Sequence, residues 1–188
     1  MKTFPLFLKL AGRRVLLVGG GSVAASKLSS LLEAGACVTV VAPRIGADLE
    51  RPGVELLRRS FQPTDLVGCW FVVVAATPAV ATEVAEAAAE RCIFVNAADE
   101  AEIANAYLGS VVRRAGVTVA ISTGGTAPAL AALLREGLES LLPLDLDEWM
   151  ATARRLRKSW RAESVPMGLR RPLLLRALDE LYAQRRLA

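Results

Sequence analysis

The sequence predicts an α/β fold, a doubly wound parallel sheet covered by helices, and three observations carry that expectation. Apolar runs of strand length alternate with alanine- and leucine-rich helical stretches through the first hundred residues. Aromatic residues are only 5% of the chain while Ala, Val and Leu abound, a balance that suits helices over a buried sheet better than a sandwich. Finally, a glycine cluster at residues 19–21 separates the first apolar run from the first helical stretch.

Taken in order, residues 15–18 form an apolar strand that stops at Gly19-Gly20-Gly21, and Ser22 stands where a helix N-cap is expected. The helix runs to about Ala34. Val23, Leu28, Leu31 and Leu32 give it a buried face, and Gly35 is placed to end it in a left-handed conformation. Residues 37–41 form the second strand, 54–57 a third, and the continuous run 70–76 reads as a central strand covered on both faces. Thr77-Pro78 then opens a helix, because proline at the first helical position lacks only an N–H that had no partner anyway. That helix extends to about Glu90, and residues 93–95 supply another strand.

After residue 100 the rhythm changes. SVVRRAGVTVAIS reads as a hairpin turning at Arg114-Ala115-Gly116. A glycine-containing loop follows, then an amphipathic helix from near Pro128 to before Pro143, and two further helices near 145–159 and 166–184.

Composition narrows the chemistry. With 53% hydrophobic and 22% charged residues the 188-residue chain is a packed globule, not a disordered one. It has no histidine, so proton transfer must use carboxylates, Lys, Tyr, hydroxyls or the backbone, and no resident metal site is expected. Cys37, Cys69 and Cys92 lack paired metal or redox spacing and read as buried free thiols in a reducing cytoplasm. MKTFPLFLKLAGRR makes no signal peptide, and no apolar run reaches the roughly 20 residues that span a bilayer, so a cytoplasmic location is expected.

Four motifs carry functional readings, each beside a plainer one. Gly19, Gly21 and Ala24 fit G-x-G-x-x-A between a strand and a helix, where amides at a helix start can hold a pyrophosphate; the plain alternative is a tight turn without ligand. The second strand ends in Pro43-Arg44 where an Asp or Glu would usually meet the adenosine ribose. Arg44 is either a solvated loop residue or a contact for a 2′-phosphate, so local chemistry leaves NAD and NADP both open. NAADE, residues 96–100, follows a strand, and Asp99 there is either a helix cap or a catalytic base reaching a cleft. The STGGT loop, residues 122–126, is either an anion-binding hydroxyl loop or a capping turn. The basic run at 154–161, RRLRKSWR, has little aromatic interleaving and reads as a solvated face or a rim for an acidic small ligand rather than a nucleic-acid patch.

Together these pieces resemble the precorrin-2 dehydrogenase/sirohydrochlorin ferrochelatase family, the N-terminal part of sirohaem synthase and its stand-alone relatives. The resemblance lies in FPLFLKLAGRRVLLVGGGSVAASKLSSLLEAGA, CVTVVAPR, CWFVVVAAT, IFVNAADE and ISTGGTAPALAALLREGLESLLP, which cover nearly all of residues 4–143 in order. It implies a Rossmann-like NAD-binding domain over 1–110, a dimerisation region over 111–143 and a small helical domain over 144–188. It implies a homodimer that oxidises precorrin-2 to sirohydrochlorin with NAD, and leaves open whether the same cleft also takes Fe²⁺ as a co-substrate. Cofactor contacts then fall on Gly19, Gly21, Ser22, Val23, Pro43, Arg44 and Thr77, with backbone groups replacing the missing ribose carboxylate. Asp99 becomes the catalytic residue, and Asn96, Ser122, Thr123, Gly124 and Gly125 face the substrate. Two departures stand out: Gly109 takes the place of a proline common in relatives, which should loosen the backbone there, and no methyltransferase domain follows. The rival readings are a non-catalytic NAD-responsive regulator, for which no effector helix is recognisable, and an NADP-dependent reductase of another substrate.

Overall fold

The protein is described by a computed structural model covering residues 3–98 and 100–186. Five strands, β1 (Arg14–Val18), β2 (Cys37–Val41), β3 (Glu55–Leu57), β4 (Cys69–Val74) and β5 (Phe94–Ala97), form one parallel sheet in the order β3-β2-β1-β4-β5. Helix α1 (Ser22–Glu33) follows β1 and α2 (Pro78–Ala89) follows β4. The Rossmann-like α/β expectation is met, with β1 at the centre.

The side-chain alternation of a strand explains how one apolar run serves two cores. Val15 and Leu17 pack with Leu28 and Leu31 of α1, whereas Leu16 and Val18 pack with Val84 and Ala88 of α2. Each buried Leu or Val contributes about 2 kcal/mol relative to exposure, so the unbroken VLLV run is what a strand covered on both faces requires. Val23 departs from the expected buried face of α1: it sits in the helix's first turn and is 46% exposed. Gly35, at φ +73°, ends α1 as expected, with Gly35 and Ala36 amides donating to the Leu32 and Leu31 carbonyls.

A short 3-10 turn, Pro63–Leu66, leads into β4. Buried Asp65 accepts bidentate hydrogen bonds from exposed-side Arg59 and one from the Gln62 amide at 2.9 Å. The Arg59 guanidinium, more than the Gln62 amide, holds the Asp65 carboxyl below its ordinary range against the opposing effect of burial. A carboxyl lowered in the folded state stabilises fully above its unfolded value of about 4 and loses that contribution as pH falls through the folded value. Asp65→Asn should therefore cost about 2 kcal/mol at neutral pH and progressively less toward pH 3, read by denaturant unfolding at both. Of the three thiols only Cys69 is buried, and burial pushes its thiol up. Cys37 and Cys92 are exposed, contrary to expectation, because one is the first residue of β2, where the strand emerges from the core, and the other occupies a turn at φ +54°.

By compactness the chain divides into two units: one up to Leu108 together with Ser122–Ala127, the other Gly109–Ile121 and everything from Pro128. The second unit contains the antiparallel hairpin β6 (Ser110–Arg114) and β7 (Val117–Ile121), with α3 (Pro128–Leu141), α4 (Leu146–Ala162) and α5 (Met167–Arg186). Ala115 and Gly116 both have positive φ, the two-residue turn whose twist matches a hairpin. Gly109 is not the loose point expected. A methyl carbon there would lie 2.5 Å from the Ile121 carbonyl oxygen, so glycine permits a close backbone approach. α3 packs on the hairpin and leaves Leu130, Leu133, Leu134 and Leu138 exposed at helical spacing. α4 and α5 are joined by Trp149, whose indole N–H donates to the Tyr182 hydroxyl at 2.6 Å, which donates in turn to Asp145 at 3.1 Å. Among the described residues no helix is long and apolar enough to cross a membrane.

Candidate functional site

The strand order reverses between β1 and β4, and the helices that follow them cover opposite faces of the sheet. Their connections therefore part at the carboxyl ends of these two strands, where open α/β sheets receive ligands. The three glycines after β1 do three different jobs. Gly19, at φ +134°, donates its amide to the Val41 carbonyl at 3.0 Å, and a methyl carbon on it would meet the Ala75 carbonyl oxygen at 2.2 Å. At Gly20 a methyl carbon would lie 1.8 Å from the Arg44 carbonyl oxygen, while the Gly20 carbonyl accepts the Gly46 amide at 2.9 Å. Gly21 is exposed and faces open space, with no atom within 4 Å of such a carbon.

Gly21 rather than Ser22 is the N-cap of α1, because its carbonyl already accepts the Ala25 amide at 3.1 Å. No side chain caps this end and no acid occupies its first turn. Amides at the head of α1, the positive end of the helix dipole and an open glycine thus coincide, which fits a dinucleotide's diphosphate. Ser22 and Val23 are exposed beside it.

The loop after β2 is held from both sides. Its Ala42 amide donates to Leu57, Gly46 to Gly20, and the Arg58 guanidinium donates to the Ile45 carbonyl at 3.2 Å while pairing with Glu50 at 2.6 Å. Pro43 and Arg44 are exposed on this fixed backbone, next to the glycine loop. Across the crest Thr77 is the exposed N-cap of α2, again without a side-chain cap or an acid in the first turn, and Pro78 is at the first helical position. Gly19, Gly21, Ser22, Val23, Pro43, Arg44 and Thr77 accordingly share the carboxyl edge formed by β1, β2 and β4.

At the neighbouring end of β5 the chain turns sharply and comes back. The Ala98 amide donates to Val74, and the Val95 amide donates to the Asn105 side chain at 2.7 Å while Asn105 and Ala106 amides donate to the Val95 carbonyl. Asn96 is buried, and its amide nitrogen donates to the Ala106 carbonyl at 3.0 Å, so that group braces the returning segment. Asp99 lies outside the described residues; its sequence neighbours Ala98 and Glu100 flank the turn.

The hydroxyl loop joins this same unit although it is distant in sequence. Gly125, at φ +80°, approaches so closely that a methyl carbon on it would be 2.9 Å from Ala101 Cβ and 3.5 Å from the Tyr107 ring. Ser122 Oγ accepts the Gly124 amide at 3.1 Å and Thr123 Oγ1 accepts the Ala127 amide at 3.2 Å. Both bonds brace the loop itself, since Gly124 and Ala127 precede the first residue of α3. Both hydroxyls serve there as acceptors, and each keeps a proton with which to donate to a ligand.

Sequence reasoning missed four residues of this region. Gly20 is the position the dinucleotide motif skips, and only the third consecutive glycine hinted at it. Arg58, Asn105 and Tyr107 act on backbone 13, 10 and 6 residues away, beyond the reach of one turn or helix pattern. Arg154, Arg155 and Arg157 are exposed on α4. Among the described residues no group of three metal-ligating side chains converges.

Known proteins match this arrangement along the whole chain. A family model for NAD(P)-binding matches residues 6–110, and one for the sirohaem biosynthesis protein central region matches residues 114–141. The siroheme synthase of Edwardsiella ictaluri (strain 93-146) is 40% identical over 193 residues, covering 100% of this chain and 41% of that protein. Siroheme synthase 3 of Aeromonas hydrophila subsp. hydrophila is 42% identical over 176 residues, covering 91% of this chain and 38% of its own. The chain therefore spans about two fifths of the length of these curated relatives. The solved structure of SirC, described as a precorrin-2 dehydrogenase, superposes with a TM-score of 0.72 at 28% identity, covering 96% of this chain and 92% of that one. With its glycine crest inside the NAD(P)-binding region and its hairpin and α3 leading through the sirohaem central region, the chain belongs to the family formed by the N-terminal part of sirohaem synthase and its stand-alone relatives.

Proposed function

We propose that this chain is an NAD-dependent dehydrogenase that oxidises precorrin-2 to sirohydrochlorin. The observation that carries the reading is the joining, in one compact unit, of an uncapped dinucleotide crest and a hydroxyl loop seated beside the turn after β5. The likeness to SirC along 96% of the chain supplies the substrate.

NAD, when bound, supplies the hydride acceptor. The chain's own part begins with binding: Gly21 with Ser22 and Val23 holds the diphosphate at the head of α1, Gly19, its amide already given to Val41, shapes the turn that presents them, Pro43 and Arg44 border the ribose, and Thr77 borders the crest from α2. NAD is preferred to NADP because the family resemblance puts these contacts on backbone groups. Ser122 and Thr123 donate hydroxyl protons to substrate carboxylates, Gly124 and Gly125 let the loop approach, and Asn96 braces the substrate wall. Asp99 takes the proton that leaves precorrin-2 as the hydride departs, directly or through water. Whether Fe²⁺ is a second substrate, with the macrocycle supplying the nitrogen ligands, is read by anaerobic incubation of sirohydrochlorin with Fe²⁺ and absorbance against a no-protein control. The exposed leucines of α3 are the face on which a second copy would pack as a homodimer, and the cytoplasm is the compartment of the reaction.

The test is an anaerobic assay of the purified protein with enzymatically generated precorrin-2 and either nicotinamide cofactor. NADH should form only when precorrin-2 is supplied, and faster than NADPH forms with NADP. Absence of reduced cofactor above the no-protein control rejects the reading.

A further inference from the structure

Tyr107 has no place in the dinucleotide motif or in the hydroxyl loop, yet it touches both sides of the region described above. Its ring is half-buried against the core cluster under α2, and its hydroxyl donates to the Ala101 carbonyl at 3.1 Å. A methyl carbon on Gly125 would lie 3.5 and 3.6 Å from two carbons of the same ring and 2.9 Å from Ala101 Cβ. One side chain therefore grips the turn after β5 through a hydrogen bond and forms the plate on which the loop 122–127 rests. The base of the turn is held independently by Asn105 and Asn96, whose bonds reach Val95 and Ala106 but not the stretch around Ala101. Among the described residues that stretch is held by the amide bonds of Ile103 and Ala104 to the Glu100 carbonyl and by the Tyr107 hydroxyl.

We propose that Tyr107 is a positioning residue that locks the turn at 100–106 to the loop 122–127, so that the two form one wall of the substrate site. The proposal deepens the dehydrogenase reading and rests on it for its kinetic consequence. The coupling itself stands on the three-way contact among Tyr107, Ala101 and Gly125. A half-buried hydroxyl bonded to a backbone carbonyl fixes position at little cost in stability when removed, since the ring remains as packing.

Tyr107→Phe keeps the plate and deletes the grip, and Gly125→Ala pushes the loop off the plate at a residue with positive φ. In hydrogen exchange on the full chain, Tyr107→Phe should speed exchange several-fold in both 100–106 and 122–127, with the β1–β4 strands unchanged. Faster exchange in 100–106 alone, or in neither segment, overturns the coupling. In the precorrin-2 assay Tyr107→Phe should lower kcat about 3–10-fold while the Kd for NAD is unchanged, and the double variant should be no slower than Gly125→Ala alone, as expected of two changes that break one contact. Equal kcat in Tyr107→Phe and wild type, or fully multiplicative losses in the double variant, also count against it. Should wild type itself produce no NADH, the dehydrogenase reading falls, and the exchange measurement still decides the coupling.

Discussion

Gly20→Ala should severely destabilise the first unit, whereas Gly21→Ala should leave it folded and weaken cofactor binding. The added carbon at Gly20 would lie 1.8 Å from the backbone oxygen of Arg44, a group that cannot swing aside because Gly46 and Arg58 pin its loop. Relief requires separating the glycine loop from the loop after β2, at a cost we put above about 4 kcal/mol, a large share of the 5–15 kcal/mol that holds a domain together. In a chain of this size that corresponds to a fall in Tm of about 10 °C or more, or to insoluble protein. At Gly21 the same carbon meets nothing. The cost there is confined to exchanging glycine for alanine at an N-cap, roughly 1 kcal/mol or less. Its effect falls on whatever approaches the helix head from outside, and the Kd for NAD should rise more than tenfold. Thermal unfolding and cofactor titration of the two variants separate a structural glycine from a binding one. Unchanged NAD affinity in Gly21→Ala would remove the diphosphate from this crest.

The largest effect on chemistry is expected from Asp99→Asn. Proton transfer by a positioned carboxylate contributes about 10²–10⁴-fold, so kcat should fall by at least a hundredfold. Affinity for NAD should be unaltered, because the cofactor contacts proposed above lie at the ends of β1, β2 and β4. The variant should also fold normally, since the neighbouring turn is braced by Asn96 and Asn105. Anaerobic single-turnover kinetics with a matched unfolding curve read both quantities. Normal turnover in a properly folded Asp99→Asn protein would assign the proton to another group.

The contrast between Gly19, Gly20 and Gly21 shows how the two levels of information divide. From the sequence, the strand–glycine–helix pattern predicts the crest and its ligand class, because a helix start and an apolar run are set by neighbouring residues. It could not rank the glycines. Which one admits a ligand and which one admits another stretch of backbone depends on Arg44 and Ala75, brought there by β2 and β4. The same holds for Ser22: its type suits an N-cap, but the chain path through Gly21 starts the helix one residue earlier. Val23 departs from its expected burial for a related reason, since helical spacing gives the azimuth of a side chain and not whether the first turn projects past the sheet.

The α/β class, the strands, most helix limits and the hairpin follow from periodicity and turn chemistry over a few neighbouring residues, and are legible without coordinates. The seating of the hydroxyl loop on Tyr107 and Ala101, and the fastening by Arg58 of the loop carrying Arg44, emerge with the assembled fold. The physical reason is that such contacts join groups 13 to 24 positions apart, where the partner is chosen by how strands stack and loops close rather than by the residues on either side.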